Sequence, residues 1–164
     1  MPQLRMPRQP ATAARSANAA VEEIDTSFLE SLLGYNARRA ALAVIEVFLE
    51  RMAPYGLKPV DFSVLSLVMH NPGITSRQLC AALGILPPNL VGMVNALEKR
   101  ELVERRPHPR DGRAMGLHLT ATGQTLVRDA EKTAAALEAE VSARLSANEL
   151  ETLIQLLKKV YQPA

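Results

Sequence analysis

Between Thr26 and Ala53 apolar residues return every three or four positions: Phe28, Leu32, Tyr35, Leu42, Ile45, Leu49 and Met52, with Arg39 a charged member of the same stripe. Alternating steps of three and four are the spacing of a helix–helix seam, and Pro54 and Gly56 end the run. A second apolar run, Val60, Phe62, Val64, Leu65 and Val68, predicts a helix over about 60–70, opened by Pro59 and stopped by Asn71-Pro72-Gly73. His70 in its last turn suits the negative end of the helix dipole. Thr75-Ser76-Arg77-Gln78 then reads as a capping box opening a short helix to about Leu83, with Leu79 and Leu83 inward. Gly84 supplies a turn, and Pro87-Pro88 starts another helix that runs to about residue 100.

That helix has two unlike faces. Leu90, Met93, Val94 and Leu97 follow the apolar period, while Asn89, Gly92, Asn95, Ala96 and Lys99 form a small, polar face opposite. A short helix, a glycine turn and a helix with such an outer face predict a helix-turn-helix. Leu102–Arg106 and Met115–Leu119 read as two short strands, since Leu117 and Leu119 alternate with small or polar neighbours. Asp111-Gly112 predicts the hairpin turn between them, and Pro107 and Pro109 protect the tip from pairing with other chains. Arg105, Arg106, Arg110 and Arg113 make this hairpin a basic wing.

Thr120 is placed to cap a long helix to about Leu145, carrying Leu126, Ala130, Ala134, Leu137 and Val141. Ser146-Ala147-Asn148-Glu149, a second capping box, opens a last helix with Leu150, Leu153, Ile154, Leu157 and Val160 on one face. The outer helices carry more apolar stripe than one small winged module can cover, which implies a partner, most economically a second copy of the chain.

Composition narrows the function. Of 164 residues 48% are hydrophobic but only 4% aromatic, so aliphatic side chains must fill the core. Neither a secretory leader nor a membrane-length apolar run is present in this sequence, and one cysteine cannot form an internal disulfide; a cytoplasmic protein without membrane contact is expected. Net charge is only +2, but residues 99–113 hold six bases against three acids, a local patch suited to a polyanion. Residues 1–22, with three prolines and with Arg5, Arg8 and Arg15, are expected to be a disordered basic tail. There is no Gly-rich phosphate loop, His-Glu-x-x-His pattern or Cys/His metal spacing, so an enzyme is not expected, nor a catalytic residue, metal or cofactor.

The segments TSRQLCAALGI (75–85), VNALEKRELVERRPHPRDGR (94–113) and LHLTATG (117–123) resemble the multiple antibiotic resistance regulator (MarR) family. The likeness spans roughly residues 26–161 and is most specific in Asp111-x-Arg113 followed by Leu119-Thr120 and Gly123. Glu101 stands where the family commonly has a glycine. The expected fold is mainly α with a small β-wing: a winged helix-turn-helix flanked by long N- and C-terminal dimerisation helices. In one domain over 23–164, the winged unit would occupy 57–119 and the dimerisation helices 24–54 and 120–161. The resemblance implies a triangular homodimer on double-stranded DNA, its recognition helices in successive major grooves of a pseudo-palindromic operator. It implies a regulator, by family default a repressor, released by a small ligand that is often an aromatic acid. The competing reading is a winged-helix architectural or protein-interaction module without an effector.

Within that frame Asn89 and Asn95 are candidates for base edges, since an amide matches adenine bidentately, while Gly92 permits close approach and Pro88 suits a thymine methyl. The resemblance makes Arg113 the arginine that enters the minor groove, held by Asp111. Lys99, Arg106 and Arg110 are expected on phosphates, as are Thr75, Ser76 and Arg77 at a helix N-terminus. His108 and His118 carry no assigned role. Cys80, near the centre of the helix-turn-helix and away from the first long helix, is read as packing rather than as an oxidant sensor. Arg39, with Arg38 and Tyr35, is a candidate for an anionic ligand; the family's pocket between first helix and winged module would add apolar walls from Phe62 and Met69.

Overall fold

The protein is described by a computed structural model covering residues 24–108 and 111–162; the expected tail over 1–22 lies outside the described residues. The chain forms two compact units, divided between Ala37 and Arg38. In the first, a short helix α1 (Ser27–Glu30) is followed by Ser31 and Leu32, and α2 (Leu33–Met52) then begins and runs on into the second unit. The single helix expected from Thr26 to Ala53 is therefore interrupted. Side chains explain the break: the Ser31 hydroxyl donates to the Phe28 carbonyl at 2.7 Å, and the Asn36 amide donates to the carbonyls of Glu30 (2.7 Å) and Leu32 (2.8 Å). The carbonyls of Phe28 and Glu30 thus take side-chain donors where the helix would supply the N–H four residues on, whereas Leu32 O keeps its backbone donor, Asn36 N–H, at 3.2 Å.

In the second unit α2 passes into a 3₁₀ turn (Ala53–Tyr55) and ends at Gly56, whose φ of 59° is left-handed. Pro59 opens α3 (Pro59–His70) at a position where its missing N–H costs nothing, and Asp61 accepts from the backbone N–H of Lys58. Val64, Leu65 and Val68 on α3 are fully buried and form the centre of the core with Met52, Leu79, Leu90, Val94, Leu97, Leu102, Leu117 and Val127. Next come β1 (Ile74–Thr75), α4 (Ser76–Leu83), α5 (Pro87–Lys99), β2 (Val103–His108), β3 (Asp111–Leu119), α6 (Ala121–Val141) and α7 (Ala147–Tyr161).

The sheet is antiparallel in the order β1-β3-β2. β1, not foreseen, pairs Ile74 with Leu117 and Thr75 with Gly116. Two residues are too few to show a period of two, and the pairing depends on Gly116: a Cβ there would lie 2.7 Å from the Gly73 carbonyl oxygen. Gly123 is under a similar constraint, since its Cβ would lie 2.0 Å from the oxygen of Leu102.

Thr120 caps α6 as expected, its hydroxyl accepting from Gly123 N–H at 3.0 Å and donating to the Glu101 carbonyl at 2.6 Å. The helix stops at Val141 rather than Leu145, where the Ser142 hydroxyl donates back to the Glu138 carbonyl at 2.6 Å. α3 and α6 pack together, and Glu131 of α6 joins them further by accepting from Ser66 (2.8 Å) and meeting His70 Nε2 (2.9 Å). α7 begins with the predicted capping box of Ser146 and Glu149 but buries no residue. Among the described residues no single helix is long and apolar enough to cross a membrane.

Candidate nucleic-acid interface

Thr75 caps α4: its hydroxyl accepts from Gln78 N–H at 3.4 Å, and the Gln78 side-chain oxygen accepts from Thr75 N–H at 2.9 Å. Ser76 and Arg77 are exposed in the first turn. α4 ends on left-handed Gly84 (φ 63°), and α4 and α5 bend by 114° at the break between them, within the usual range for a helix-turn-helix. The expected turn chemistry therefore produces the expected motif. Cys80 of α4 is half-buried rather than fully enclosed, with Leu79 beside it taking the core position.

Pro87 and Pro88 lie in the first turn of α5 without a side-chain cap. Leu90, Val94 and Leu97 are buried; Pro88, Asn89, Gly92, Asn95, Ala96 and Lys99 are exposed. Nothing lies within 4 Å of where a Gly92 Cβ would stand, so that glycine answers no packing need inside the chain. The outer side is less purely polar than its sequence period implies, because Val91 is half exposed and Leu86, just before the helix, is 71% exposed. Both are apolar groups that sequence reasoning missed, and both lie at the end of the helix where Pro88 and Asn89 stand.

At its other end α5 closes with a Schellman motif: Leu102 N–H donates to Leu97 O at 3.1 Å, and Glu101 N–H to Glu98 O at 2.8 Å. Glu101 takes the left-handed position, φ 56°, which explains why a glycine is usual there. The Arg100 guanidinium then donates to the carbonyls of Gly56 (2.9 Å) and Tyr55 (2.8 Å), and the Tyr55 hydroxyl meets Thr133 Oγ1 at 2.8 Å. The end of α5 is thus tied to the 3₁₀ turn and, through it, to α6.

The wing separates its arginines by strand alternation. Arg105 faces Leu117 across the ladder and Arg106 faces Gly116. Their side chains therefore leave opposite faces of the hairpin. Arg105 reaches α5, donating to Asn95 Oδ1 at 2.9 Å and pairing with Glu98 Oε2 at 3.2 Å. Arg106 pairs with Glu104 and lines a cavity of about 260 Å³ with Val68, Met69, Pro72, His118, Leu119 and Gln124. Asp111-Gly112 is not the turn: β3 begins at Asp111, which pairs with His108. The register shifts between Pro107 and His108, and that irregularity takes up the extra length of β3. Pro107 lies on β2, an edge strand, where a missing N–H is tolerated. Arg110 and the side chains of His108, Asp111 and Arg113 lie outside the described residues.

The candidate ligand residues come from α2 (Tyr35, Arg38 and Arg39) and α3 (Phe62 and Met69). Tyr35 is half-buried within the first unit. Arg38 and Arg39 are exposed on α2, and among the described residues neither has a hydrogen-bond or ion-pair partner. The charge at Arg39 therefore reaches solvent in the single chain rather than needing a buried carboxylate. Phe62 is half-buried and packs edge-on against Phe48, ring centroids 5.7 Å apart, while Met69 lines the cavity beside Arg106.

A model of the MarR family matches residues 55–114, which contain the helix-turn-helix and the wing. A Thauera aromatica protein assigned as the transcriptional regulator for the hcr operon is 30% identical over 149 residues, 90% of each chain. The chain belongs to the MarR family. MarR-family proteins of this kind are DNA-binding transcriptional regulators, and the helical fold with its small three-stranded sheet is theirs. Among solved structures, the transcriptional repressor CouR bound to a 23-mer DNA duplex is 38% identical with a TM-score of 0.80, covering 85% of this chain and 99% of that one. CouR bound to p-coumaroyl-CoA is 36% identical with a TM-score of 0.78, covering 87% and 100%. As a member of the MarR family the chain is a transcriptional regulator.

Proposed function

We propose that this MarR-family regulator is a homodimeric repressor that reads a two-fold-related DNA operator and leaves it when a small aromatic, anionic ligand binds. The observation that carries the DNA half is the exposed row Asn89, Gly92 and Asn95 on α5, with the wing arginines beside it. Asn89 and Asn95 read base edges; Pro88 meets a thymine methyl; Gly92 allows close approach. Lys99, Arg106, Arg110, Thr75, Ser76 and Arg77 hold phosphates, and Arg113, oriented by Asp111, enters the minor groove. In this reading residues 57–119 are the DNA-binding unit, and the helices over 24–54 and 120–161 make the dimer.

For the ligand, CouR with p-coumaroyl-CoA points to an aromatic acyl thioester of coenzyme A. Such a molecule carries phosphates for Arg38 and Arg39, whose guanidinium groups are exposed, and an aromatic end for apolar walls such as Phe62 and Met69. Tyr35 is assigned to the same ligand by its spacing from Arg38 and Arg39 in the sequence.

Footprinting of the DNA upstream of the gene, at two salt concentrations and with aromatic acids and their coenzyme A thioesters added, tests the reading. A symmetric footprint with half-sites about one helical turn apart, abolished by one thioester, is expected. Protection without symmetry, or symmetric protection indifferent to every ligand, contradicts the dimer or the effector respectively. The Arg39→Ala variant is expected to keep its footprint and to need at least about tenfold more thioester for release, a loss of one charge-assisted contact. An unchanged release curve would remove Arg39 from the site.

A further inference from the structure

Asn95 is useful for reading a base only if its amide faces the DNA in a single orientation. The carbonyl and amino ends of an asparagine are nearly the same size, and half a turn about the last side-chain bond exchanges acceptor for donor. A free amide on an exposed helix face offers both orientations, and discrimination between bases falls accordingly. In this protein the amide is not free. The Arg105 guanidinium lies 2.9 Å from Asn95 Oδ1, and its position is fixed in turn by Glu98 Oε2 at 3.2 Å, one helical turn further along α5. Arginine carries donors only, so the atom it meets must be the carbonyl oxygen. The flipped amide would set two donors against a cation.

We infer that Arg105 is a positioning residue for base readout: from the wing strand it locks the Asn95 amide in one orientation and thereby sets the base preference of the recognition helix. The carbonyl oxygen keeps a second lone pair, and among the described residues the Asn95 amino group has no partner. The locked amide therefore still presents an acceptor beside a donor, the pair that matches N6 and N7 of adenine. Strand alternation assigns this task to Arg105 and denies it to Arg106, which leaves the other face of the hairpin. This inference rests on the sequence-specific reading proposed above.

Selection of binding sites from randomised duplexes, with the full-length protein and its Asn95→Ala, Arg105→Ala and Arg105→Lys variants, tests it; circular dichroism checks that each variant is folded. The parent is expected to enrich a symmetric motif. Asn95→Ala should flatten the preference at one base pair in each half-site. Arg105→Ala should flatten that same base pair, from about tenfold or more to within about threefold, and leave the other positions and the salt dependence of binding as they were. Arg105→Lys, which still donates to the carbonyl oxygen, should restore part of the preference. Should Arg105→Ala keep the full motif while weakening all sequences equally and lowering the salt slope by about one, Arg105 is a phosphate contact and the inference fails. A parent that enriches no motif would overturn the sequence-specific reading itself, a result that does not resemble the first failure.

Discussion

Glu101 occupies a backbone conformation with φ 56° that side chains other than glycine adopt at a cost of about 1 kcal/mol or more. It persists because its neighbours hold it there: Leu102 and Glu101 close α5, and the Glu101 carbonyl accepts from Thr120. Glu101→Gly is therefore expected to stabilise the fold by about 0.5 kcal/mol, the strain relieved less the extra freedom glycine has when unfolded. Urea denaturation monitored by circular dichroism checks it, and an unchanged or lower midpoint would mean that the Glu101 side chain contributes contacts that offset the strain. The same residue shows what a sequence reveals at this scale. Its departure from the family pattern is plain, and so is the glycine at 123, but only the 2.0 Å approach of Leu102 O to a Cβ there shows why no side chain fits. Arg105 and Arg106 were both evidently basic. Which of them turns towards α5 depends on the pairing of β2 with β3, and the signal was present in Leu117 and Leu119, whose buried face fixes the alternation.

Helices with strong caps were legible because cap and breaker act locally: Pro59, Thr75, Gly84, Thr120 and Ser146 each stand where the sequence places them. The break at Ser31 and Leu32 was not, because no proline marks it, Gly34 falls inside α2 rather than at the break, and the side chains that occupy the carbonyls there are Ser31 itself and an asparagine five residues beyond it. β1 was hidden by its length, and the helix end at Ser142 by a serine that could as well have faced solvent. A cap that can be read in sequence also has a readable pH dependence. Glu149 accepts from the backbone N–H and the hydroxyl of Ser146, both at 2.8 Å, and these bonds favour its ionised form and hold its carboxyl below its ordinary value of 4.5. A lowered carboxyl stabilises the folded helix fully above its unfolded value, and that contribution disappears as pH falls through the lowered one. Amide exchange at the start of α7 is thus expected to be insensitive to protonation of this group from neutral pH to about 4.5 and to lose protection below it. In Glu149→Gln, whose side-chain oxygen still accepts without titrating, the acid dependence should vanish. Equal acid sensitivity in both proteins would place its origin elsewhere.

At the scale of the whole molecule, α7 presents Leu153, Ile154, Leu156, Leu157, Val160 and Tyr161, each at least 38% exposed, and α2 presents Leu42, Val44, Ile45 and Leu49 in the same way. Steps of three and four put Leu153, Ile154, Leu157 and Val160 on one side of α7, and no α7 residue is buried in the single chain. Apolar surface gains about 25 cal/mol per Å² when it leaves water, so two such helices left bare would be an aggregation hazard, whereas a two-fold axis buries both with a single interface. The parent is accordingly expected to sediment as a dimer and the double variant Leu153→Asp, Leu157→Asp as a monomer. Its winged unit should remain folded, since the substituted side chains contribute nothing to the core of Val64, Leu65, Leu79, Leu90 and Leu97. Coupling between two half-sites disappears with the dimer, so affinity for a full operator should fall by about 10²–10⁴-fold, while the affinity for an isolated half-site changes little. The parent's melting temperature should rise with protein concentration and the variant's should not. A variant that stays dimeric would show that the exposed stripe of α7 is not the interface. A monomer that keeps full operator affinity would show instead that one winged unit binds alone, and the two-fold geometry of the proposed operator would have to be given up.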